Sequence, residues 1–261
     1  MSVPARKRFG QNFLHDPAVI GRLLDIINPQ PDEFIIEIGP GRGALTLPIL
    51  QRVGKLTAVE LDRDLIPLLE QRSKDLGTLT LHQADALKVD YAELAEGKPL
   101  RLLGNLPYNI STPLLFHLLA SNANIVDMHF MLQKEVVQRL AAEPGTRSYG
   151  RLSVAVAAQA SATNVLHVGP GAFQPAPKVD SAVVRLTPRA PSFAINDRKL
   201  FDKVVTQAFS QRRKTLRNTL SGLVGDDDFN ALGIDSSLRA EVLSPADFAA
   251  LANHLASNRQ N

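Results

Sequence analysis

The chain has 261 residues, which suits one α/β domain with a small appendage or two modest domains, and its 44% hydrophobic and 21% charged residues are ordinary for a globular protein. It contains no cysteine, which excludes disulfides, thiolate metal sites and a cysteine nucleophile, and which fits a reducing compartment. Net charge is only +3, but residues 1–10 and 209–218 together carry +7 and the remainder −4, a local distribution that suits a polyanion gripped at defined places.

The basic start, Arg6-Lys7-Arg8, runs into Phe9-Gly10-Gln11-Asn12 rather than the apolar stretch of a secretory signal. No apolar run approaches the roughly eighteen residues of a membrane span, so a cytoplasmic protein with no membrane partner is expected. Short apolar runs bounded by turn residues predict strands at Phe34–Ile38, Lys55–Glu60, Thr78–His82, Leu100–Gly104 and Ile125–Leu132. Helical spacing between and after them predicts helices at Ala44–Arg52, Arg63–Ser73, Pro113–Ser121, Lys134–Ala142 and Leu152–Ser161. Two more strands, near Thr163–Val168 and Ala182–Thr187, flank a Pro/Gly-rich loop and are expected to pair antiparallel at the sheet edge. Such alternation implies a parallel sheet covered on both faces. Beyond a linker at Pro188-Arg-Ala-Pro191 the pattern turns helical, with Leu200, Val204, Val205 and Phe209 on one face. The expected division is a doubly wound α/β domain over 1–188 and a small helical domain over 189–261.

The strongest local signal is Glu37-Ile-Gly-Pro-Gly-Arg-Gly-Ala-Leu-Thr46, where the first strand hands over to a helix. Gly39, Gly41 and Gly43 let the backbone take positive φ and approach a ligand, at the strand ends where open α/β sheets bind ligands. Glu60 ends the second strand, where a carboxylate can accept from both hydroxyls of a ribose. Asp85, after the third strand, adds an acceptor for an adenine amino group, though taken alone it also suits a helix N-cap. Glycines with a second-strand acid suit a nicotinamide dehydrogenase too, but the spacing departs from G-x-G-x-x-G, which ends one residue later.

The fourth strand leads into Gly104-Asn-Leu-Pro-Tyr-Asn-Ile-Ser111. An adenine N6 amine is a weak nucleophile because its lone pair is delocalised into the ring. The side-chain carbonyl of Asn105 and the backbone carbonyl of Leu106 can accept its two hydrogens and aim the lone pair at a methyl donor, while Tyr108 stacks on the base. No strong base is needed, since the donor is already cationic. The six histidines are scattered without metal-ligand spacing, and no metal is expected.

On these residues the chain closely resembles the small-subunit ribosomal RNA adenine dimethyltransferases. The matching segments run in order: Gln11–Leu14, Glu37–Thr46, Glu60, Asp85–Leu87, Asn105–Ser111, Phe173–Ser181 and Phe209–Asn218. Asn-Leu-Pro-Tyr in place of Asp-Pro-Pro-Tyr separates this group from most DNA adenine methyltransferases. The resemblance implies a Rossmann-like methyltransferase fold with a mixed, mostly parallel sheet and a small C-terminal all-helical domain. It implies S-adenosylmethionine as cofactor, held by Asn12, Leu14, Gly39, Glu60, Asp85 and Asn105, with Gly41 in the same loop. Phe173 is expected to face Tyr108 across the target base.

The implied substrate is a pair of adjacent adenosines in a hairpin near the 3′ end of small-subunit RNA, each dimethylated late in assembly of the immature subunit. A monomeric enzyme is expected. Arg6, Lys7, Arg8, Arg212, Arg213, Lys214 and Arg217 are the candidate RNA contacts, with 213, 214 and 217 sharing a face if that tract is helical. Large-subunit adenine methylation, and an assembly role in which binding matters more than catalysis, are the competing readings.

Overall fold

The computed structural model describes residues 5, 6 and 10–258. In chain order the first elements are β1 (Phe13–Leu14), α1 (Pro17–Ile27), β2 (Phe34–Ile38), α2 (Thr46–Val53), β3 (Lys55–Glu60), α3 (Ile66–Ser73) and β4 (Thr78–Gln83). Next come α4 (Tyr91–Ala95), β5 (Leu100–Asn105), α5 (Ser111–Ala120), β6 (Ile125–Gln133), α6 (Lys134–Leu140) and α7 (Arg151–Ala157). The remainder is β7 (Ala160–Val168), β8 (Phe173–Gln174), β9 (Ser181–Pro188), α8 (Arg198–Ala208), α9 (Leu216–Thr219), α10 (Asp226–Leu232) and α11 (Pro245–Asn258). Among the described residues no helix is long and apolar enough to cross a membrane.

Seven strands form one sheet in the order β4-β3-β2-β5-β6-β9-β7. The pairs from β4 through β6 are parallel, and β9 joins β6 antiparallel. Strand order reverses between β2 and β5, so the crevice beyond their carboxyl ends is the natural ligand site of this topology. Gly104 makes that junction possible. A Cβ there would lie 2.2 Å from the carbonyl oxygen of Ile38, so only glycine lets β5 run this close to β2.

The helix α1 adds to the elements expected from the sequence, although its signal is present there. Asp16 accepts from the amides of Ala18 and Val19, Pro17 occupies the first turn, and Asn28 closes the helix in a left-handed conformation. Its buried face, Leu23, Leu24 and Ile27, joins Ile35, Ile49, Leu50 and Leu103 in one apolar core. Two expected helices miss a pattern end by three residues or more. Residues 62–65 form a turn, so α3 starts at Ile66, and α7 stops at Ala157 because β7 already begins at Ala160.

The chain divides into two compact units, and not by a single cut at residue 188. One comprises the described residues up to Val137 together with Thr163–Pro188; the other joins Gln138–Ala162 to the residues from Arg189 onward. The physical reason is a shared core in the second unit. Tyr149 and Val154 are buried with Phe201, Val204, Leu216, Leu220, Phe229 and Phe248, and the Tyr149 hydroxyl donates to the Leu243 carbonyl at 2.8 Å.

Candidate active site

A cavity of about 370 Å³ opens at the carboxyl ends of β2, β3 and β5, in the size range of small-molecule sites. Its walls are Gly10–Phe13, the glycine loop at Gly39 and Gly41, Glu60 and Leu61, the stretch Ala84–Leu87, and Asn105–Ile110. Segments far apart in sequence therefore converge on one crevice.

The glycine loop runs as its sequence requires. Gly39, Gly41 and Gly43 have φ of 70°, 57° and 83°. A Cβ on Gly41 would press to 3.1 Å from the Phe13 ring, so the loop needs glycine for packing as well as for conformation. Glu60 ties this loop to the second strand. Its carboxylate accepts from the Gly41 amide at 3.1 Å and from the Asp62 amide at 2.8 Å. Burial raises its carboxyl above the usual carboxylate range, and these backbone donors oppose the shift. Asp85 accepts from the Leu87 amide at 3.0 Å, capping a turn rather than a helix, since the next helix starts at Tyr91 behind Asp90, and it lines the cavity. The buried Tyr91 hydroxyl pins this stretch by donating to the Ala86 carbonyl at 3.0 Å.

Asn105 ends β5, and its amide nitrogen donates to the backbone carbonyl of Asn12 at 2.9 Å. That bond fixes which end of the amide is which and leaves the carbonyl oxygen as an acceptor. The Leu106 amide donates to the Met131 carbonyl at 3.1 Å, anchoring the residue whose own carbonyl is the second proposed acceptor. Tyr108 shares a hydrogen bond of 3.0 Å with the Ser181 hydroxyl.

Two expected site residues are not at the cavity wall. Leu14 and Phe173 are cross-strand partners in the β1–β8 pair and are buried together in the apolar core, where Phe173 is only 3% exposed. The neighbouring Asn12 and Phe13 reach the cavity instead. Sequence reasoning did not single out Glu37, which ends up wholly buried behind the loop with its Oε2 lacking a hydrogen-bond partner. Burial pushes its carboxyl up to about 8; nearby Thr46 opposes the shift and the Glu60 charge adds to it.

The basic residues fare unevenly. Lys7 and Arg8 lie outside the described residues. Arg6 is held within the first unit, by Asp62 at 2.9 Å and by Asp64, so its charge is already matched. The tract after Phe209 is not one continuous helix. Residues 210–214 form a turn, and Thr215 is extended at the head of α9, so Arg213, Lys214 and Arg217 share no helical face. Arg217 pairs with Asp226 at 3.1 Å.

Arg212 donates to the Arg147 carbonyl at 2.6 Å and approaches Glu241 at 3.7 Å. The turn instead helps form a second cavity, of about 360 Å³, lined by Arg147, Arg212, Arg213, Arg239 and Glu241 with Gly145 and Thr146. Four arginines and one glutamate give this hollow a net positive lining. Arg147 and Arg239 were invisible in sequence, because each stands alone in an unremarkable stretch.

With this geometry in place, similarity to known proteins decides the family. A family model described as ribosomal RNA adenine dimethylase matches residues 3–257. The chain belongs to the ribosomal RNA adenine dimethylase family. Among its relatives in that family, the ribosomal RNA small subunit methyltransferase A of Pseudomonas aeruginosa is 56% identical over 254 residues, covering 97% of this chain and 95% of the relative. The protein of the same name from Aromatoleum aromaticum is 54% identical over 254 residues, with the same coverage.

Solved structures agree on the fold of this dimethylase. A dimethyladenosine transferase from Plasmodium falciparum superposes with a TM-score of 0.82 at 24% identity, covering 95% of this chain and 98% of that one. The 23S rRNA methyltransferase ErmE superposes with a TM-score of 0.75 at 23% identity, covering 94% and 100%. The fold is the Rossmann-like methyltransferase fold with a mixed, mostly parallel sheet and helices.

Proposed function

We propose that this chain transfers methyl groups from S-adenosylmethionine to N6 of adenosines in small-subunit ribosomal RNA, and that its targets are two adjacent adenosines of a hairpin near the 3′ end. The observation that carries this reading is the Asn105 amide, locked by Asn12 at the edge of the cavity that Glu60 lines. The family and the names of its relatives support the same chemistry.

The residues present fit the cofactor. A buried carboxylate at the end of β3 suits two ribose hydroxyls, Asp85 suits an adenine amino group, and the positive-φ glycines let the backbone come close. When bound, S-adenosylmethionine supplies a methyl group activated by a sulfonium charge. The chain's own task is to prepare the amine. The Asn105 side-chain carbonyl and the Leu106 backbone carbonyl accept the two N6 hydrogens, which draws the nitrogen towards tetrahedral geometry and aims its lone pair. Tyr108 holds the base by stacking. Positioning of this kind removes the entropic part of the barrier, and the proton leaves after transfer without a strong base.

Unstacked bases of a loop cost less to splay into such a pocket than bases in a duplex. The arginine-lined hollow of the second unit suits a backbone phosphate, with Arg147, Arg212, Arg213 and Arg239 as the candidate contacts. Action on an immature small subunit in the cytoplasm, as a monomer, completes the proposal. Mapping dimethylated adenosines in small-subunit RNA from a strain lacking the gene, with and without the restored chain, tests it directly. Loss and recovery of both marks is expected; marks that persist in the deletion strain overturn it.

A further inference from the structure

We propose that Ser181 is a positioning residue for methyl transfer, acting by holding the Tyr108 ring through the hydrogen bond between their hydroxyls. The inference rests on the reading of Tyr108 as the residue that stacks on the target base. Tyr108 follows β5 by three residues, on a turn, and is only half-buried. The structure ties it at two ends. Its backbone carbonyl accepts from the Ser111 hydroxyl at 3.1 Å, at the head of α5, and its phenol meets the Ser181 hydroxyl at 3.0 Å.

Ser181 is well suited to be the fixed end. It is 1% exposed and opens β9 opposite Gln133, the last residue of β6, in the antiparallel ladder. One residue earlier, the Asp180 carbonyl accepts from the Lys134 amide at 2.9 Å. The hydroxyl therefore sits on a strand end locked by backbone bonds, while the phenol sits on a turn. A hydrogen bond from a rigid to a less constrained partner removes ring orientations that would stack poorly, and small errors in placing a reacting group are costly in rate. It also explains why the segment Phe173–Ser181, picked out in the sequence, bears on chemistry although Phe173 itself is buried in the core.

Methyl transfer to unmethylated small subunits, measured for Ser181→Ala, Tyr108→Phe, their double variant and Tyr108→Ala, tests the inference. Ser181→Ala and Tyr108→Phe each delete one half of the same bond. Each is expected to lower kcat about three- to tenfold with KM for the subunit little changed, and the double variant is expected to be no worse than either single one. A wild-type kcat for Ser181→Ala beside an impaired Tyr108→Ala overturns the inference and leaves the stacking role standing. Defects that add in the double variant, or a Ser181→Ala effect confined to melting temperature, also overturn it. Full activity in Tyr108→Ala removes the stacking role itself, and the inference with it.

Discussion

The side-chain amide of Asn105 donates to the main-chain carbonyl of Asn12 across 93 residues of sequence, at 2.9 Å. An amide has one donor end and one acceptor end, so this bond decides that the acceptor is available to an adenine amine. The N-terminal segment thus orients the Asn105 amide through its backbone, whatever side chain position 12 carries.

Asn105→Ala is expected to abolish most methylation, by on the order of 10²–10³ in rate, the usual cost of deleting one positioned polar group. Fold and RNA binding should be largely retained. Asn105→Asp should be impaired as well, because a carboxylate cannot donate to the Asn12 carbonyl. Methyl incorporation into unmethylated small subunits checks both variants, and near-normal turnover in the alanine variant would remove Asn105 from the chemistry.

Glu60→Ala is expected to weaken S-adenosylmethionine binding by roughly 1.5–3 kcal/mol, about tenfold to a hundredfold, through loss of a charge-assisted acceptor. It also strands the Gly41 and Asp62 amides that Glu60 now satisfies, so the glycine loop should loosen. Calorimetric titration with the cofactor reads this directly; unchanged affinity in the folded variant would count against the assignment.

The arginine hollow predicts a salt signature. Replacing Arg147, Arg213 and Arg239 with Gln should lower affinity for the unmethylated subunit and flatten the slope of log affinity against log salt. Every phosphate that is no longer neutralised should take about 0.7–0.9 off the steepness of that slope. Cofactor affinity should hold, because the cavity proposed for S-adenosylmethionine is lined by residues of the other unit. An unchanged slope would return these arginines to a solvated surface.

Glu37 gives a pH dependence with a definite sign. Its carboxyl is pushed from 4.5 up to about 8, so the folded state binds this proton more tightly than the unfolded state. This group's contribution to stability is therefore full below pH 4.5, falls as pH rises, and is lost above about 8, at no more than about 1.4 kcal/mol per pH unit. Glu37→Gln, which cannot ionise, should flatten the decline in thermal stability between about pH 5 and 8. Parallel melting curves for the two proteins across that range would show that Glu37 does not titrate there.

The sequence by itself determined the strands, the glycine loop and the chemical motif, because each is encoded within a few residues. Phe34–Ile38 and Lys55–Glu60 fall where their apolar runs place them. Gly39, Gly41 and Gly43 announce positive φ by lacking a Cβ, and Glu60 and Asn105 follow from standing at strand ends. Tertiary structure alone decided the rest. Residues 138–162 join the helical unit because Tyr149 and Val154 share its core. Phe173 is buried because β8 pairs with β1.

The basic tract breaks into a turn over 210–214 and the head of α9, with Thr215 extended between them, and that turn, with Arg147 and Arg239, completes the arginine hollow. Asn12 with Asn105 and Tyr108 with Ser181 are partners separated by 93 and 73 residues. Local propensity and spacing cannot specify such pairs, since each depends on which segments the packed sheet brings to the same rim.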